Sequence, residues 1–360
     1  MNTNNYSKKN NIFYFNKTFI KIYQIFCYFL ILMLKKKKKK IGVVGIGHGN
    51  NIGNNLIKYA ISIKLNELGF DPIIIGNIRK NNDISFINKT LKLKIIYNNY
   101  TEINRNEYDV LMVNSDQTWR KLDKKYFYDY AFLCFARKWK IQKFIYGASL
   151  GFDHWTFTKQ DENFAKECLQ NFTGISIREK GSINLIEKHL GIKPVWVLDP
   201  TFLINKKYYL NIIRNYKYNG FNDNFIFTYL FFKKENIKKY IEKSHNKLGY
   251  KIKGVTIFSK NRIEKFIYGI ANCKAVITDS YHGTIFSIIF NKPFVTFFNK
   301  NNAVERFNSL KKLFKIENRF FNSKQIPNIN LLKTPLNINK NLMNNYKKKS
   351  INYLKNNLNF

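Results

Sequence analysis

One histidine stands in an unusual setting. It lies in Thr278-Asp-Ser-Tyr-His-Gly-Thr284, between an apolar run and the start of a helical pattern. Imidazole is the side chain best suited to moving a proton near neutral pH, and His282 is one of five histidines in the chain. Gly283 beside it permits close approach of a ligand, and free backbone N–H groups around residues 282–284 favour an anion. Histidine is a poor helix cap, so capping does not account for it. Asp279, Ser280 and Thr284 can cap the helix as readily as they can touch a ligand.

Four further clusters sit where apolar runs end. Ser176-Ile-Arg-Glu-Lys180 offers Arg178, whose planar fork suits a carboxylate or phosphate, although an Arg178–Glu179 surface pair would give the same pattern. Asn114-Ser-Asp-Gln-Thr-Trp119 combines Ser115, Asp116 and Gln117 for hydroxyl groups with the Trp119 ring for a sugar face. Asp116 or Ser115 could equally cap a helix. Gly47-His-Gly-Asn-Asn-Ile-Gly53 is a glycine-rich turn whose Gly49, Asn50 and Gly53, with Asn54, could cradle a phosphate or sugar, or form an ordinary βα turn. Tyr146-Gly-Ala-Ser-Leu-Gly151 places Ser149 in a small-residue loop. Arg306 and Arg319 follow the last strong strand signal and add positive charge near a cleft. There is no Walker A motif, no HExxH, no GxSxG and no clustered His/Cys set, so no metal is indicated.

The elements that must carry these residues alternate between short apolar strands and amphipathic helices. Strands are expected at Ile41–Gly45, Asp71–Gly76, Asp109–Val113, Lys143–Ala148, Gly174–Ile177 and Val195–Leu198, with helices at Leu56–Leu68, Lys159–Asn171 and Gly181–Leu190. After a polar stretch, Asn205–Asn224, the pattern restarts. Strands are expected at Phe225–Phe231, Ile252–Val255, Ala275–Thr278 and Pro293–Phe298. Helices are expected at Glu235–Leu248, Ile263–Ala271, from near Thr284, and near Leu342–Leu358. This predicts an α/β protein with two doubly wound Rossmann-like domains facing a cleft, and ligands at the carboxyl ends of the strands. The expected segments are an apolar/basic extension 1–40, domains 41–204 and 205–320, and a tail 321–360.

The chain has 360 residues, enough for two medium domains, and 17% aromatic content is incompatible with disorder. Lys+Arg number 62 against 23 Asp+Glu, a net charge of +39. The excess is mostly lysine and accompanies heavy use of Asn, Ile, Phe and Tyr, all with A/T-rich codons, so codon bias explains it better than nucleic-acid binding. Scarce arginines and the absence of RRM, KH, helix-turn-helix or zinc-finger signatures agree. Four cysteines without a CxxC pair are expected to be unpaired, fitting a reducing compartment. Within residues 12–34 the least interrupted apolar part, Ile22–Leu34, is short of the ~20 residues that span a bilayer. With the lysine run Lys35–Lys40 it can lie on an anionic membrane surface, pack on the body of the protein, or span poorly.

In order along the chain, these motifs resemble the polysaccharide pyruvyl transferase family. The resemblance runs from about Lys40 to Phe320 and includes Val197-Leu-Asp-Pro-Thr201 and Arg306-Phe-x-x-Leu310. Asn114 stands where that family usually has glycine, and residues 12–40 lie outside its core. The resemblance implies a GT-B-like fold and transfer of a pyruvyl group from phosphoenolpyruvate to sugar hydroxyls of a cell-surface glycan or its lipid-linked precursor, often as a ketal, without a cofactor. It implies catalytic roles for His282 and Arg178, orientation of the acceptor by the Asp116 region and by residues 50–55, and a cytoplasmic location, peripheral to the membrane if the acceptor is lipid-linked. A GT-B glycosyltransferase using a nucleotide sugar is the alternative reading.

Overall fold

Runs such as Val43-Val44 and Val110–Val113 are apolar on both faces, which suits strands covered by helices on either side. The computed structural model describes residues 21–23, 38–46, 51–76, 83–96, 99–121, 127–216, 224–232, 234–256, 259–299 and 304–358. Residues 40–360 form one compact unit. Residues 12–40 lie almost wholly outside the described set, as do Gly49 and Asn50. Among the described residues no helix is long and apolar enough to cross a membrane.

The first half begins with β1 (Lys40–Val44), α1 (Ile52–Glu67), β2 (Asp71–Gly76), α2 (Ile84–Thr90) and β3 (Leu93–Ile95). It continues through β4 (Val110–Val113), α3 (Phe127–Phe132), β5 (Gln142–Ala148), α4 (Lys159–Leu169), β6 (Gly174–Ile177), α5 (Ile183–Leu190) and β7 (Val195–Trp196). These seven strands form one parallel sheet in the order β3-β2-β1-β4-β5-β6-β7. The strand order reverses at β1, with Ile41 beside Pro72 on one side and Val110 on the other. That reversal opens a crevice beyond the ends of β1 and β4.

After α6 (Lys206–Ile212) comes the second sheet, made of β8 (Phe225–Tyr229), β9 (Lys251–Gly254), β10 (Ala275–Thr278), β11 (Phe294–Phe298) and β12 (Phe320–Asn322). Its order is β12-β11-β10-β8-β9, all parallel, so its own reversal falls between β8 and β10. The helices are α7 (Glu235–Leu248), α8 (Arg262–Asn272), α9 (Tyr281–Ile289) and α10 (Val304–Phe314). The last helix, α11 (Lys340–Asn356), returns to the first sheet, where the Tyr353 hydroxyl donates to the Ile145 carbonyl at 2.8 Å. One apolar core runs through both halves, with the Tyr209 and Phe286 rings 4.8 Å apart.

Two helix starts differ from expectation, and both differences matter for chemistry. Helix α1 begins at Ile52 because the Asn51 side chain accepts from the Asn54 N–H at 3.1 Å. Helix α9 begins at Tyr281, capped by Ser280, which brings His282 into the first turn. The cysteine expectation fails in part. Cys134 and Cys168 form a disulfide with Cα atoms 5.2 Å apart, while Cys273 is a buried free thiol. Packing of α4 against the segment after α3 brings the pair together across 34 positions, a separation that carries no motif. Cysteine usage therefore no longer argues for a reducing compartment.

Candidate active site

The ends of β4, β6, β7 and β10 bring together one charged cluster. Arg178, just beyond β6, is its centre and is buried. One guanidinium nitrogen donates to Asp199 Oδ2 at 2.7 Å and another to Asp116 Oδ1 at 3.1 Å. Its Nε lies 3.7 Å from Glu179 Oε1. Asp199 is fixed from its other side, where Oδ1 accepts from the Thr201 N–H at 3.0 Å and the Thr201 hydroxyl at 2.7 Å. Asp116 Oδ2 accepts from Asn54 Nδ2 at 2.9 Å, and Oδ1 accepts from the Gln117 N–H at 2.8 Å. Asp116 holds φ at +122°, a conformation costly for a residue with a side chain and kept only where surroundings enforce it.

His282 reaches this cluster from the second sheet. Its Nε2 is 3.7 Å from Asp199 Oδ2, within ion-pair range but longer than a hydrogen bond. Its other face meets α1. A Cβ added at Gly53 would fall on the imidazole, 2.7 Å even from Cε1, so only glycine fits there. Tyr281 lies between two guanidinium groups, with Arg178 4.9 Å and Arg306 5.1 Å from its ring centre. The halves are joined beside the cluster by a buried bidentate pair. Arg262 Nε donates to Asp83 Oδ1 at 3.1 Å and a terminal nitrogen to Oδ2 at 2.5 Å, and Asn55 donates to the same carboxylate at 3.1 Å.

Charge in a buried site is set by competition between desolvation and neighbours. Burial alone would raise the Asp116 pKa, yet Arg178 and His282 hold it below the ordinary carboxylate value. Asp199 shifts the same way, with His282 and Arg178 overriding burial. Glu179 goes up, because burial outweighs the Arg178 charge. Burial and the repulsion of Arg178 bring Arg306 down to about 10. Lys58, on α1, is lowered to about 7 by burial, against the pull of Asp116. Asp279 rises to about 6 through burial, although it accepts from the Phe231 and Phe232 N–H groups at 2.8 and 2.7 Å.

Of the residues expected from sequence, His282, Arg178, Asp116, Gln117, Gly53, Asn54 and Arg306 come together. Ser149 faces Glu179, and Ser115 donates to the Gly147 carbonyl at 2.7 Å. Several expectations need correction. Trp119 does not present a sugar face. It is buried, its indole N–H donates to the Ala131 carbonyl at 2.9 Å, and its ring packs on Phe132 at 5.3 Å. The loop turns inward because the largest apolar surface in it gains most from burial. Backbone donors at 283 and 284 are not free for an anion. Ser280 Oγ takes the Gly283 N–H at 3.3 Å, and the Ser280 carbonyl takes that of Thr284 at 3.0 Å. The Thr284 hydroxyl bonds Ser280 and Thr296, so its role is packing. Gly283 is needed because a Cβ there would strike Thr278.

Arg319 leaves the cleft entirely, since its guanidinium donates to carbonyls of Leu331, Thr334 and Pro335. Arg178 and Glu179 are not a surface pair, because both are buried. Asn55 bonds Asp83 rather than being left to orient an acceptor. Asp199, Tyr281, Glu179 and Lys58 were missed as site residues. Only Asp199 carried a signal, its place in the Asp-Pro-Thr motif at a strand end.

Two all-parallel α/β halves, with a charged site built from strand ends of both, define a GT-B-like protein. Solved structures agree. UDP-GlcNAc 2-epimerase from Methanocaldococcus jannaschii, in complex with UDP-GlcNAc and UDP, is similar at 15% identity, 88% of this chain, 99% of that chain and TM-score 0.53. The Neisseria meningitidis UDP-GlcNAc 2-epimerase bound to UDP-GlcNAc is similar at 12% identity, over 88% and 99% of the two chains, with TM-score 0.51. S. aureus MnaA with UDP is similar at 14% identity, over 90% and 97%, with TM-score 0.50. At such identities the likeness is one of fold. No curated protein gives a significant match. The chain belongs to the polysaccharide pyruvyl transferase family, whose model matches residues 51–301, and is accordingly a transferase.

Proposed function

We propose that this transferase moves the pyruvyl group of phosphoenolpyruvate onto hydroxyls of a cell-surface polysaccharide or its lipid-linked precursor, closing a ketal where two hydroxyls are in reach. The observation that carries this reading is the buried His282–Asp199–Arg178 constellation at the junction of the two sheets in a member of this family. The site is assigned to the cytoplasmic side, with residues 12–40 touching an anionic membrane surface when the acceptor is lipid-linked.

The geometry supports the following roles. Asp199, held ionised, faces Nε2 and stabilises the imidazolium of His282. The imidazolium gives a proton to the methylene carbon of phosphoenolpyruvate. The adjacent carbon becomes oxocarbenium-like and is attacked by the acceptor hydroxyl, whose proton returns to the imidazole. Loss of phosphate and attack by a second hydroxyl, with release of its proton, complete the ketal. The donor's phosphate and carboxylate fall to Arg306, which is half-buried and forms no ion pair with any described residue. Arg178 is committed to Asp199 and Asp116, so it acts as a positioning residue that neutralises both carboxylates and sets Asp199 against His282.

The test is a donor screen. Phosphoenolpyruvate is expected to raise the thermal midpoint and to release phosphate when a glycan acceptor is present. The nucleotide-sugar alternative draws on the UDP ligands of the structural neighbours. Stabilisation by a UDP-sugar without any by phosphoenolpyruvate would favour it. A second prediction concerns Gly53. Gly53→Ala is expected to cut turnover on the order of a hundredfold by displacing His282, since misplacement by about 1 Å can cost that much. Overpacking costs only about 1–3 kcal/mol, so the variant stays folded. Near-wild-type turnover would show that the ring is not the reacting group or that it needs no fixed position.

A further inference from the structure

A cavity of about 350 Å³ lies beside the charged cluster, lined by Lys180, Gly181, Trp196, Glu305, Ser309, Lys312, Leu313 and Tyr346. Two elements serve both sites. On α10 the residues Glu305, Ser309 and Lys312 form one face toward the cavity, while the adjacent Arg306 turns to Tyr281. Beyond β6, Arg178 and Glu179 point into the cluster and Lys180 and Gly181 line the cavity. Arg178 and Gly181 are three positions apart, a span of at most about 11 Å.

The lining has a definite chemistry. The Trp196 indole N–H already donates to the Arg178 carbonyl at 3.1 Å, and its ring meets Tyr346 edge-on at 4.8 Å. The indole is thus held in place and contributes apolar ring surface, the kind of wall a pyranose face packs against. Lys180 and Lys312 form no ion pair with any described residue. The Glu305 carboxylate lies against Gly181 and, among the described residues, takes a long contact from Asn308 Nδ2, 3.4 Å. An aromatic wall, two unpaired ammonium groups, a hydroxyl and one carboxylate suit a sugar that carries an anionic group.

We infer that this cavity is a subsite for an anionic hexose unit of the acceptor glycan, a hexuronate or a phosphorylated hexose, bound next to the unit that is pyruvylated. The inference rests on the pyruvyl-transfer reading and assigns the part of the acceptor that does not react. Binding there would hold the glycan so that its neighbouring unit reaches His282.

The test uses the full chain, with Ser309→Trp to fill the cavity and Lys312→Glu to reverse its charge. Midpoint shifts are titrated with glucuronate, glucose 6-phosphate, glucose, inorganic phosphate and phosphoenolpyruvate. At least one anionic sugar is expected to bind saturably, and about tenfold or more weaker in both variants. Whichever of glucuronate and glucose 6-phosphate binds tighter identifies the anion. Phosphoenolpyruvate is expected to shift the wild type and both variants alike. Anionic-sugar binding unchanged in the variants, neutral glucose binding as tightly as the charged sugars, or inorganic phosphate alone matching them would each overturn the subsite. Loss of the phosphoenolpyruvate shift in the wild type would instead overturn the reading on which it rests.

Discussion

His282→Ala is expected to slow phosphate release from phosphoenolpyruvate about 10²–10⁴-fold, the share that a positioned general acid contributes. The loss should fall on kcat, with KM for phosphoenolpyruvate little changed, because the donor's charge is met by Arg306 rather than by the imidazole. His282→Gln is expected to be equally slow. It keeps a hydrogen-bond donor and much of the volume but cannot pass a proton to carbon. A readout at the reacting atom tests the proton transfer itself. When the wild type turns over in D2O, the pyruvyl methyl of the product is expected to carry one deuterium, delivered to the former methylene carbon. A product methyl free of deuterium would exclude protonation at that carbon, and a variant within tenfold of wild type would remove His282 from the step. Asp199→Asn extends the argument. It removes the charge that faces Nε2 but leaves the shape, so turnover should fall while the midpoint shift from phosphoenolpyruvate persists.

The strands that bear the site were legible because they are buried on both faces and read as unbroken apolar runs. Val110–Val113 and Ala275–Thr278 appear where expected. The missed strands, β3 and β12, are three-residue edge strands with too little pattern to detect. His282 was legible because an imidazole at a strand-to-helix junction has no capping use. Asp199 was not, since Asp-Pro reads locally as a turn, and its meaning appears only when His282, 83 positions later, folds against it. Glu179 was not legible for a similar reason. Neighbouring opposite charges imply a solvated pair unless the end of the strand is buried. Trp119 shows the limit of loop composition, which tells that a ring is present but not which way the loop turns. The cysteine pair depends wholly on packing of elements that the sequence treats as separate.

Arg178→Met is expected to be the most destabilising single change in the site, by about 3–5 kcal/mol near neutral pH, because it leaves buried carboxylates without their cation. Loss of hydrogen bonds is the smaller part. Burial opposes ionisation at both Asp116 and Asp199, and Arg178 with His282 reverses that preference. In the wild type both carboxyl groups therefore sit below their unfolded value of about 3.9. Their contribution to stability is complete above that pH and is lost as pH falls through the folded values. Without Arg178, chiefly His282 and neutral hydrogen-bond donors are left to oppose burial, and the same groups are expected to move above the unfolded value. They then disfavour the fold at neutral pH, and that penalty is relieved as acid protonates them. The two proteins should thus respond to acid in opposite directions. The midpoint difference should be greatest at pH 7–8, on the order of 5–10 °C, and should shrink toward pH 4. A difference that stays constant across this range would mean that Asp116 and Asp199 do not depend on Arg178 for their charge. A variant as stable as wild type at pH 7 would mean that the cluster is not a buried ionic network at all.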